Sequence, residues 1–204
     1  MAIESSRRSE TTPPRDFFDS LQIEGEKSKL MTLSRKYKFL FLITPIVLFL
    51  DQLTKWLVVK EIPYSSRIPI IPGYFDLVHF RNRGAAFGML SELPDHIRPF
   101  FFYGIAVVAV IVLFFYFRSL KGEEKLMPIT LSLILGGIFG NILDRLRYGD
   151  VVDFLSFHFQ EKIIRGVYLE WPAFNVADSA ITVAMMLLIV STLKTKGSHD
   201  RQKS

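Results

Sequence analysis

Residues 126–145 read LMPITLSLILGGIFGNILDR. From Leu126 to Leu143 there are 18 residues without a charge, and Asp144 and Arg145 follow at once. A run of that length approaches the ~20 residues a helix needs to cross ~30 Å of hydrocarbon. Three other blocks share the pattern. Phe39 to about Val59 is interrupted only by Asp51 and Lys55, Pro99 to Phe117 has no charge, and Pro172 to about Leu193 has only Asp178. Spans are therefore expected at 39–59, 99–117, 126–144 and 172–193. A soluble bundle is the alternative, but four such blocks in 204 residues would leave it little polar surface.

Composition agrees. Half the residues are apolar, 14% are aromatic and 19 are Phe. The net charge of +5 does not point to nucleic acid, because no basic patch interleaves with aromatics; basic flanks around membrane spans account for it. The absence of cysteine excludes disulfides, thiolate metal sites and cysteine nucleophiles. The expected fold is an all-α membrane protein, four transmembrane helices with a small β-rich outer platform. The platform is expected from Ile68 to Phe80, where β-type residues alternate with Pro and Gly turn signals.

Lys and Arg density sets the direction of the chain. With the N-terminus inside, the inner segments 24–38, 118–125 and 194–204 hold 12 basic residues in 34 positions. The outer segments 60–98 and 145–170 hold 9 in 65, so both termini are expected on the cytoplasmic side. The expected organisation is a flexible extension over 1–36, a membrane domain over 37–195 and a tail over 196–204. Residues 1–36 lack the apolar region of a signal peptide, and Phe17, Phe18, Leu21 and Ile23 offer at most a short interfacial helix.

Ionisable groups inside a membrane are costly and usually face a bundle interior or a wet cavity. Alternating spans bring them together here. Asp51, Gln52, Thr54 and Lys55 fall in the outer half of helix 1; Asn141, Asp144 and Arg145 end helix 3; Asn175 and Asp178 begin helix 4, with Asp178 about one and a half turns in. Asn82 and Asp153 are expected in the two outer loops. Asp51 and Lys55 are i,i+4 and can pair. Gly136 and Gly140 form a small-xxx-small pair suited to close helix packing.

Two carboxylates in a poorly solvated cleft cannot both ionise cheaply, so one keeps a proton while the other acts as base towards water. Asp153 and Asp178 suit that role and, with it, peptide hydrolysis. Rival chemistries lack parts. His79, His96, His158 and His199 are scattered with no zinc motif, and there is no Gly-x-Ser-x-Gly elbow. A Ser–Lys dyad of Lys55 and Ser179, or half of a presenilin-type motif at Gly149-Asp150, finds less support. Neither metal nor cofactor is expected.

Five strings are similar to those of the bacterial lipoprotein signal peptidases, the signal peptidase II family. They are Asp51–Lys55, Asn82–Gly88, Gly136–Arg145, Val151–Phe154 and Phe174–Asp178, in the family's order and over roughly residues 38–193. The resemblance implies an aspartic endopeptidase of the inner membrane with its active site towards the outer, periplasmic face. It implies a catalytic pair at Asp153 and Asp178, and supporting or substrate-contacting roles for Asn82, Gly84, Asn141, Arg145, Asn175, Asp51, Lys55 and Asp144. The implied substrate is a prolipoprotein with a diacylglyceryl cysteine, cut just before that cysteine; membrane lipid and a globomycin-type inhibitor are the other implied partners. A small ion or proton transporter using intramembrane carboxylates is the alternative. Two departures from the family pattern are the long N-terminal extension and the long Leu155–Ala173 segment, which carries Glu161, Lys162, Arg165, Glu170 and Trp171. Phe87 and Trp171 also suit the role of interfacial aromatics.

Overall fold

The computed structural model describes residues 15–84, 94, 96–121, 124–164 and 167–201. Its elements in chain order are α1 (Arg15–Glu61), β1 (Arg67–Ile71), β2 (Phe75–Asn82), α2 (Arg98–Ser119), α3 (Leu126–Tyr148), β3 (Val151–Ile164), β4 (Val167–Glu170) and α4 (Val176–Arg201). Four stretches are long and apolar enough to cross a membrane: Arg35–Glu61, Arg98–Ser119, Leu126–Tyr148 and Val176–Leu193. The most apolar, in α2, is only 6% buried. Phe100, Val108 and Phe115 on α2 and Phe41 and Phe49 on α1 point outwards. Lipid covers such a surface at no cost, whereas water does not.

The helices start and stop differently from expectation at four places, one of them the end of helix 4, which continues past the expected 193 to Arg201. Helix 1 reaches back to Arg15, well before the expected start at 39, and no proline interrupts it between Arg15 and Pro45. Helix 3 continues to Tyr148, four residues past its expected end, and stops where Gly149 takes φ 78° and donates its N–H to Arg145 O. Helix 4 begins at Val176 rather than 172, because Phe174 bridges to Leu155 on β3 and Pro172–Phe174 lie outside the helix.

α3 is the centre of the bundle and packs on α1 and α4, with α2 leaning on it more lightly. Small residues make this possible. A Cβ at Gly136 would stand 2.7 Å from Val47 Cβ, one at Gly137 would stand 2.6 Å from Ala177 O, and one at Gly140 would stand 2.5 Å from Asp51 Oδ2. The Gly136–Gly140 packing expected from the sequence is thus present, and Gly137 extends it to α4. At the other end Lys36, 2% exposed, donates to the carbonyls of Phe117, Arg118 and Leu120 and so closes the C-terminus of α2.

The platform is an antiparallel sheet in the order β1-β2-β3-β4. Asn82 and Asp153 therefore sit on neighbouring strands, not in loops, with Phe80 opposite Asp153 and Asn82 opposite Val151. The Leu155–Ala173 segment is mostly the β3–β4 hairpin. Alternation gives β3 two faces. Val152 and Phe154 pack on Val58 and Ile62 at the end of α1, which leaves Val151 and Asp153 on the other face.

Candidate active site

One cation organises the base of the site. Lys55 Nζ lies 2.9 Å from Asp51 Oδ2 and 3.0 Å from Asp144 Oδ2, and it donates to Asn141 Oδ1 at 3.0 Å. All three charged side chains are at least 97% buried. Burial of this kind needs the remaining lone pairs satisfied. Asp51 Oδ1 accepts the Ala177 N–H at the start of α4, and Asp144 Oδ2 accepts the Val152 N–H on β3. Gln52 donates to Asp51, Asp144 and the Gly140 carbonyl, and Arg147 holds the Gln52 oxygen. The same bonds that neutralise the charges tie α1, α3, β3 and α4 together.

Lys55 can only donate, so the Asn141 oxygen faces it and the Asn141 amide nitrogen faces away. That nitrogen donates to Asp178 Oδ1 at 2.8 Å. Asn175 is the N-cap of α4: its Oδ1 accepts the Asp178 N–H at 2.9 Å, and the Asp178 carboxylate reaches back towards the Asn175 N–H at 3.4 Å. This is a capping box, and it puts Asp178 in the first helical turn, not one and a half turns in. With its oxygen so engaged, Asn175 donates from Nδ2 to Asp153 Oδ1 at 2.8 Å and to Asn141 Oδ1 at 3.2 Å. Asn82 donates to Asp153 Oδ2 at 3.0 Å. Two side-chain amides thus connect the two carboxylates.

Asp153 is 3% exposed. Burial raises its carboxyl from the usual 3.8 to about 7, the nearby Asp178 charge adds to this, and the amides of Asn82 and Asn175 offset only part. Asp178 opens onto a cavity of about 670 Å³, shared with Asn82, Asn141, Val151, Phe174 and Trp171. Arg145 also lines it, donating to Gly84 O at 3.1 Å and lying 4.2 Å from the Phe102 ring centroid. Among the described residues no group of three or more His, Cys, Asp or Glu could hold a metal ion.

The structure therefore brings together Asp51, Lys55, Asn82, Gly84, Asn141, Asp144, Arg145, Asp153, Asn175 and Asp178. A Ser–Lys dyad is not formed: Lys55 is held by Asp51, Asp144 and Asn141, while the Ser179 hydroxyl donates to Asn175 O. Gly149 caps α3 and Asp150 pairs with Arg81 at 3.0 Å, which accounts for that dipeptide. Phe87, the Ala85–Gly88 part of its string, Arg165 and the side chains of Glu161 and Lys162 lie outside the described residues. Sequence reasoning placed Gln52 in the polar group but missed Arg147, whose guanidinium donates to the Gln52 oxygen. Nothing in the sequence joins the two across 95 positions.

In form this is a multi-pass membrane protein with a buried carboxylate centre at one end of its bundle. Residues 43–194 match the family model described as signal peptidase (SPase) II. A lipoprotein signal peptidase of Syntrophotalea carbinolica is 41% identical over 81% of this chain and 97% of its own length. One of Nitratidesulfovibrio vulgaris is 42% identical over 78% of this chain and 92% of its own. A solved bacterial membrane enzyme, determined by the in meso method at 2.3 Å, superposes with a TM-score of 0.65 at 31% identity, covering 78% of this chain and 89% of that one. The chain belongs to the signal peptidase II family and is a membrane peptidase. The transporter alternative finds no support in these matches.

Proposed function

We propose that this peptidase removes the signal peptide from prolipoproteins whose cysteine carries diacylglycerol, cutting just before that cysteine, with Asp153 and Asp178 as its catalytic pair. The observation that carries the reading is the chain Asp153–Asn175–Asn141–Asp178 beside a largely apolar cavity. The raised Asp153 carboxyl is suited to hold the shared proton. Asp178, at the positive end of α4, is suited to act as base. Asp178 takes a proton from water as its oxygen adds to the scissile carbonyl, and Asp153 gives its proton to the carbonyl oxygen. When the diol collapses, the leaving nitrogen takes the proton from Asp178 and Asp153 regains its own. Arg145 and Asn82 are suited to hold the peptide backbone at the cavity mouth.

The same reading puts the site at the outer face of the bacterial inner membrane with both termini in the cytoplasm, following the distribution of basic residues. Acyl chains then stay in lipid while the peptide crosses to the carboxylates, at about 0.8 kcal/mol for each methylene buried. A globomycin-type cyclic peptide is expected to compete for the cavity.

The test is turnover of a diacylglyceryl precursor by purified variants whose folding has been checked. Asp153→Asn and Asp178→Asn should each lose about a thousandfold or more, about 4 kcal/mol, and the double change should add little. Substantial activity in either single variant would remove the mechanism. Equal turnover of an unmodified precursor would remove the lipid requirement.

A further inference from the structure

The platform carries a second polar network that the proposed cleavage does not use. Arg67 on β1 donates from Nη1 to Asp76 Oδ2 on β2 at 2.8 Å, and from Nη2 to Glu170 Oε1 at the end of β4 at 2.6 Å. Ser156 on β3 donates to the same Glu170 oxygen at 2.7 Å, and His158 Nε2 lies 3.0 Å from Asp76 Oδ2. One guanidinium therefore joins the first strand of the sheet to the last. The centre of the network is dry, with Asp76 3% and Ser156 0% exposed. Burial alone would lift the Glu170 carboxyl, but Arg67 and Ser156 outweigh it and hold the group below its ordinary range. Arg67 and Glu170 are each over a third exposed, so their ion pair as such adds little stability. What the fork of a guanidinium supplies here is direction, since its donors are fixed in one plane.

The next residue after the latch is Trp171, whose N–H donates to Phe157 O at 2.8 Å. From Trp171 to Phe174 the chain forms one wall of the cavity. Phe174 is then pinned to Leu155, and Asn175 follows as the cap that holds Asp178. Trp171 remains 62% exposed, a large ring at the cavity mouth whose backbone is anchored just behind it. Freeing Glu170 would loosen this wall at its far end while leaving the Asn175 cap in place.

We propose that Glu170, latched by Arg67 and Ser156, is a positioning residue that holds the Trp171–Phe174 wall and thereby sets how tightly substrate binds. The inference rests on the peptidase reading for its substrate but not for its geometry. Two readouts on the full-length protein test it: KM and kcat on a diacylglyceryl precursor peptide, and acrylamide quenching of Trp171. The chain has two tryptophans, so a Trp56→Phe background isolates Trp171.

Glu170→Ala, which removes the acceptor of both bonds, should raise KM about fivefold and leave kcat within about twofold, the signature of lost binding rather than lost chemistry. Quenching of Trp171 should increase. Arg67→Gln should do the same, and the double variant should be no worse than either single one, because both changes open the same latch. An unchanged KM with unchanged quenching would overturn the proposal, and so would additive effects or a fall in kcat alone. If the parent protein turned over no precursor, the peptidase reading would fail, and the quenching comparison would still decide on the latch.

Discussion

Replacing Lys55 with Met keeps most of the side-chain volume and removes the buried cation that Asp51 and Asp144 both contact. Two carboxylates, Asp51 and Asp144, are then left in a site where neither exceeds 1% exposure. Breaking a buried ion pair by removing one partner costs about 3–5 kcal/mol. The lower part of that range applies here, because each carboxylate keeps a backbone N–H, from Ala177 or Val152, and a contact with the Gln52 amide. At about 2–4 °C per kcal/mol for a chain of this size, a loss of about 3 kcal/mol lowers the thermal midpoint by about 6–12 °C. The measurement is the midpoint of purified Lys55→Met against the parent in one detergent. Adding Asp144→Asn should recover part of the loss, since it removes one of the two charges left without a partner. A midpoint within about 2 °C of the parent, or a double variant worse than Lys55→Met by the full cost of Asp144→Asn, would refute the view that Lys55 neutralises this layer.

The Asp153 carboxyl stands at about 7 in the fold against an ordinary 3.8, so it binds a proton more readily folded than unfolded. Its contribution to stability is complete below about pH 4 and is lost as pH rises through about 7, amounting to at most about 4 kcal/mol. Asp153→Asn should flatten the midpoint between those pH values; an unchanged slope would contradict the buried, proton-holding carboxyl. Packing gives a sharper contrast. Gly137→Ala sets a Cβ 2.6 Å from Ala177 O and should cost about 1–3 kcal/mol in midpoint experiments, with turnover reduced because α4 and Asp178 must shift. Gly104→Ala on α2 meets nothing within 4 Å and should be neutral or stabilising by about 0.5–1 kcal/mol. Equal effects of the two would count against α3 as the tight centre of the bundle.

The sequence by itself determined the four spans, because a segment in lipid must satisfy its backbone within its own helix, and so announces itself as a local apolar run. It also determined that the polar groups gather at one end, since alternating spans bring the end of one helix beside the start of the next. Asp51 with Lys55 was legible from i,i+4 spacing alone. The tertiary structure alone decided what those groups touch. Asp51 meets the Ala177 N–H across 126 positions, Lys36 meets the end of α2 across 84, and Arg67 meets Glu170 across 103. No local pattern encodes such pairs, because each depends on how whole elements pack. The start of α4 belongs with them: Pro172 and the apolar residues after it read as helix, but the bonds of Trp171 to Phe157 and of Phe174 to Leu155 hold that stretch on β3, and Asn175 becomes the cap that aims Asp178. Hydropathy acts residue by residue along the chain, whereas the site is made of directional bonds between elements, which exist only once the bundle and the sheet have met.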